Sequence, residues 1–65
     1  MCLSTVYKNE KTPQSIVMRN VTSIRCEEDT VILTDLMDHS VAIEGKLELA
    51  NLVDGFVIVK EAVPA

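Results

Sequence analysis

Sixty-five residues with six Lys/Arg against ten Asp/Glu give a single small domain of formal charge −4. A chain this short buries only about 60% of the surface it exposes when unfolded, so a metal, a bridge or a partner chain commonly supplements its core. The acid excess, with one Tyr and one Phe, weighs against nucleic acid, which is bound through neutralised phosphates and stacked bases. Two cysteines, Cys2 and Cys26, are too few for a disulfide framework. The N-terminus lacks the basic leader and apolar run of a signal peptide, and the longest apolar stretch, Phe56 to Val59, is too short to cross a bilayer. The expectation is one cytoplasmic domain over residues 1–65 with reduced thiols and no membrane contact.

Apolar residues make up 48% of the chain, much of it Val, Ile and Leu, which favours strands. The first β-prone run is Cys2 to Tyr7, and it ends at the polar cluster Lys8 to Pro13. A second, Gln14 to Met18, stops at Arg19-Asn20, and a third covers Val21 to Arg25. Glu27-Glu28-Asp29 reads as a tight turn into Thr30 to Thr34. Asp35 to His39 turns the chain again, and Ser40 to Ile43 follows before Glu44-Gly45. Lys46 to Val53 mixes alternating with helical spacing and is taken as a strand running into a turn. Asp54-Gly55 is the strongest hairpin signal, since Gly tolerates the positive φ such turns require. Phe56 to Lys60 is the last strand, and Glu61 to Ala65 is a loose tail.

This spacing predicts an all-β fold, a small antiparallel barrel or half-barrel of about six to seven short strands. Val31/Leu33, Val41/Ile43 and Phe56/Ile58 are expected to face inward. Ile32, Val57 and Val59 then face outward and require cover, which a homodimer supplies.

The candidate chemistry concentrates on Cys2. A thiol one residue from the amino terminus stands within a few bonds of the terminal amine and the first peptide nitrogen. Sulfur with two nitrogens closes fused five-membered chelate rings, a donor set suited to a thiophilic ion of square-planar preference, Ni(II) or Cu(II). The terminal ammonium next door favours the thiolate. The competing reading is a small apolar residue opening a strand. The nitrogens available depend on processing: the Cys2 amine if Met1 is removed, the Met1 amine or Cys2 amide if it is kept. Cys26 ends a strand before an acidic turn, and its spacing to Cys2 matches no zinc motif. His39, in a polar turn after Asp38, is a competent ligand type but alone. Met18 and Met37 read as core or interface filler. No carboxylate pair, nucleophile context or phosphate loop appears, so no catalytic residue is expected and the chain does not read as an enzyme.

Met1-Cys2-Leu3, the length, the acidic strand-rich pattern and Asp54-Gly55-Phe56-Val57-Ile58 together resemble the CooT family of small nickel-binding proteins, over essentially the whole chain. The resemblance implies an SH3-like β-barrel, a homodimer, and one Ni(II) bound at the dimer interface by Cys2 of both subunits. It also implies a metallochaperone role in maturation of carbon monoxide dehydrogenase as the client enzyme. Only Cys2 carries over residue by residue, with the backbone nitrogens of Met1 and Cys2 as co-ligands. The rival expectation is a small RNA-binding β-barrel using Lys8, Lys11, Arg19, Arg25, Lys46 and Lys60 as a basic face. A third is a purely structural interaction module.

Overall fold

The computed structural model describes residues 3–62, so Met1, Cys2 and the last three residues lie outside it. Five strands carry the fold: β1 Ser4–Lys8, β2 Ile16–Glu27, β3 Thr30–Asp35, β4 Ser40–Asn51 and β5 Phe56–Glu61, with one 3-10 turn at Pro13–Ser15. They close on themselves in the order β1-β2-β3-β4-β5. Four ladders are antiparallel, as the sequence leads one to expect. The closing ladder, β1 with β5, is parallel. That follows from the strand count, because successive strands of a meander alternate in direction and the first and fifth then point the same way.

The strand number corrects the sequence reading. Arg19-Asn20 and Glu44-Gly45 look like turns, yet the chain passes through both without leaving the sheet. Asn20 takes a single left-handed conformation at φ 57°, a short polar residue being tolerated there, and register shifts flank its neighbours. The result is a bend, as at a β-bulge. The N-terminal part of β2 therefore pairs with β1 and its C-terminal part with β3. Strand β4 makes the same transfer, from β3 to β5, at Gly45. A methyl group at Gly45 would overlap the Lys60 carbonyl oxygen and stand 2.9 Å from Glu61 Cα. Glycine is what lets β5 approach β4 this closely.

The core is Val6, Val21, Val31, Leu33, Ile43, Val57 and Val59, all buried, with Val17, Met18 and Ile24 packed against it. Val31, Leu33 and Ile43 face inward as expected. Val41 does not: although it is the cross-strand partner of the buried Leu33, it is exposed. On β5 the parity is opposite to expectation, with Val57 and Val59 buried and Phe56 and Ile58 half-exposed. The expected outward pair thus fills the core and needs no partner chain to cover it. Glu61, taken as tail, belongs to β5, and Ala62 N–H donates to the Glu44 carbonyl at 2.8 Å.

Candidate metal site

Cys2, the candidate ligand, lies outside the described residues. The described chain does show where the strand that follows it is seated. Thr5 N–H donates to the Gly55 carbonyl at 3.0 Å, which ties the start of β1 to the turn between β4 and β5. That turn is built by Asn51. Its Oδ1 accepts the N–H groups of Val53 at 3.1 Å and Asp54 at 2.9 Å, and its carbonyl accepts Gly55 N–H. Gly55 closes the turn at φ 74°, the left-handed conformation that glycine adopts without steric cost. The Asp54-Gly55 hairpin is therefore present, in a turn running from Leu52 to Gly55.

This rim exposes apolar side chains beside the carboxylate of Asp54, whose Oδ2 accepts from Asn51 Nδ2 at 3.1 Å. Leu3 is 37% exposed, Leu52 72% and Val53 95%. Beside them opens a shallow groove of about 220 Å³, lined by residues that include Ser4, Thr22, Ser23, Ile24, Ala50 and Leu52, with no titratable side chain among them. Leu52 and Val53 escaped the sequence reading, which absorbed them into an ambiguous segment. The available signal was two adjacent apolar residues directly ahead of an Asp-Gly turn.

The other candidate donors stand apart. Cys26 is a free, exposed thiol on β2, opposite Val31. His39 lies beyond the far end of β3, in the turn that Asp35 organises. Asp35 Oδ1 accepts the N–H groups of Met37 and His39, both at 2.9 Å, while its Oδ2 stands 3.4 Å from His39 Nδ1. The His39 backbone N–H is the largest of the influences that lower the Asp35 pKa; the Met37 N–H and the imidazole add to it, and desolvation opposes it. Cys26 and His39 are thus at opposite ends of one strand, and Met37 is exposed beside His39. Among the described residues no group of three or more His, Cys, Asp and Glu is placed to hold a metal ion.

The six cationic residues do not share one face. Lys8 pairs with Glu61 at 3.5 Å and Arg25 with Glu27 at 3.2 Å. Arg25 lies across from Ile32 on the outer side of β2 and β3, whereas Lys46 and Lys60 face each other on β4 and β5. No helix of the described chain is long and apolar enough to cross a membrane.

Comparison with curated proteins finds no match. The family described as CO dehydrogenase accessory protein CooT, in contrast, has a model that matches residues 1–60, a span that takes in Cys2 and all but the last residue of β5. The chain belongs to the CooT family of CO dehydrogenase accessory proteins.

Proposed function

We propose that this accessory protein is a nickel carrier: a cytoplasmic homodimer of SH3-like barrels that holds one Ni(II) between two Cys2 thiolates and delivers it to carbon monoxide dehydrogenase. The observation that carries the reading is the family match across Cys2, joined to the character of the rim where Leu3 enters β1. Leu3, Leu52 and Val53 give that rim exposed apolar area beside the Asp54 carboxylate, which suits contact with a second copy. One cysteine cannot fill a coordination sphere. Two chains supply two sulfurs, and the nitrogens of Met1 and Cys2 complete a planar set of the kind Ni(II) favours. A planar site is open above and below, so an incoming donor from the client displaces ligands one at a time. The carrier role needs no catalytic group in the chain itself.

The test is a nickel titration of wild type beside Cys2→Ser, with Cys26→Ser and His39→Ala as controls. A thiolate-to-nickel charge-transfer band saturating at one ion per two chains is expected for wild type and both controls, and its loss for Cys2→Ser. Binding should weaken in acid, because thiol and nitrogen donors must shed protons to ligate. Equal affinity and stoichiometry in wild type and Cys2→Ser would refute the proposal.

A further inference from the structure

The outer surface of the β2-β1-β5-β4 part of the ring carries a feature that neither the core nor the Cys2 site uses. Burial of Val57 and Val59 turns Phe56, Ile58 and Lys60 outward, and burial of Val6 does the same for Thr5 and Tyr7, since side chains alternate along a strand. The register then sets up a crosswise row. Ile16 stands opposite Tyr7, Tyr7 opposite Ile58, and Ile58 opposite Leu49. Four strands contribute one apolar or aromatic side chain each, and Leu49 is 46% exposed.

Both flanks of this row carry lysines, the one at Lys46 and Lys60 opening on a groove that also holds Asp29 and Glu61. On one, Lys46 is the direct cross-strand partner of Lys60. Like charges so placed repel, and among the described residues neither lysine has a carboxylate within ion-pair distance. Glu48, the acidic residue between Lys46 and Leu49 in β4, pairs with neither. On the other flank, Lys11 Nζ sits 4.2 Å from the centroid of the Phe56 ring, which Tyr7 meets edge-on at 6.3 Å. In a chain of charge −4, this face runs against the overall balance.

We propose that this face docks an acidic partner protein, whose apolar side chains lie on the Ile16–Leu49 row and whose carboxylates meet Lys46 and Lys60. The ring is closed, so a partner reads the face rather than extending the sheet at a free edge. A second copy is a poor occupant. Because both flanks carry lysines, two copies pressed together through this row set lysine against lysine in either orientation. The overall negative charge disfavours nucleic acid on the same surface. The proposal is independent of the nickel reading and places its partner away from the Leu3 rim.

Two synthetic peptides of equal length and apolar content provide the test, one with Glu-Asp pairs around Leu and Phe, the other with lysines at those positions. They are titrated into the full-length ¹⁵N-labelled protein. The acidic peptide is expected to shift the amides of Tyr7, Leu49 and Ile58, and the basic peptide to leave them in place. The double variant Lys46→Glu/Lys60→Glu should lose at least tenfold in affinity while melting like wild type, since both side chains are exposed. Cys2→Ser should bind the peptide as wild type does, so failure of the nickel reading and failure of this one are separable. The proposal is overturned by no shift from the acidic peptide, equal binding of both peptides, shifts at Leu52 and Val53 instead, or unchanged affinity in the double variant. Concentration-dependent shifts of the same amides without peptide would overturn it too, by assigning the face to a second copy.

Discussion

Gly45→Ala tests the geometry that joins the two halves of the ring. The added methyl meets backbone, the Lys60 carbonyl oxygen and Glu61 Cα, and neither can rotate away as a side chain would. Strands β4 and β5 must separate locally instead. Overpacking of this kind costs about 1–3 kcal/mol. Separation also strains the hydrogen bonds on either side, Gly45 N–H to the Asp29 carbonyl and Ala62 N–H to the Glu44 carbonyl, both at 2.8 Å, at roughly 1 kcal/mol each. Alanine restricts the unfolded chain and returns about 0.4–1 kcal/mol. The net loss is about 2–4.5 kcal/mol, a large share of the stability of a domain this small, and on the order of 10 °C or more in Tm. Urea unfolding followed by far-UV circular dichroism reads it directly. Gly55→Ala is the comparison. Its methyl would come within 3.5 Å of only the Leu3 carbonyl, so the cost is confined to the left-handed backbone, about 1–2 kcal/mol. An alanine at position 45 as stable as wild type, or less harmful than one at position 55, would refute the close approach of β4 and β5.

Two further outcomes follow from the core and the turns. Val57→Asp should leave the chain unfolded by placing a carboxylate in the core, a penalty of about 3 kcal/mol or more, while Ile58→Asp should fold with well-dispersed amide resonances; the reverse order would overturn the β5 parity. Asp35, with its pKa lowered below 3.8 in the folded chain, contributes stability that is fully present above its unfolded pKa and lost as pH falls through the folded value. The stability gap between wild type and Asp35→Asn should therefore be widest near neutrality and close in acid, as chemical denaturation across pH measures, and a gap that widens toward low pH would contradict the assignment.

What the sequence discloses differs from strand to strand. Strand β3 is legible because Thr30 to Thr34 lies between two polar turns, and both turns are where the pattern puts them. The Asp54-Gly55 turn is legible for its backbone chemistry. The extent of β5 is legible too, but which way it faces is not, since Phe56-Val57-Ile58-Val59 has no polar residue to mark a face. Its parity is set by the parallel pairing of Val57 with Val6, a contact across 51 positions that no local window contains. Strands β2 and β4 read as two each because Asn20 and Gly45 carry turn chemistry that the fold spends on bends. The same limit governs function. Cys2 is chemically conspicuous on its own, whereas the opposition of Lys46 and Lys60 exists only once β4 and β5 are aligned.

The parallel closure of β1 on β5 also bears on the order in which the molecule is made. Strand β1 leaves the ribosome first, and one of its two edges stays open until β5 follows. Strand β1, which follows Cys2 in the sequence, is therefore fastened by the last of these five strands to be made. An unfinished chain has neither a closed ring nor a seated N-terminal strand, and pairing of such distant segments is the slow part of folding a β-protein. On the nickel-carrier proposal, closure of the ring by β5 thereby becomes a checkpoint ahead of loading at Cys2.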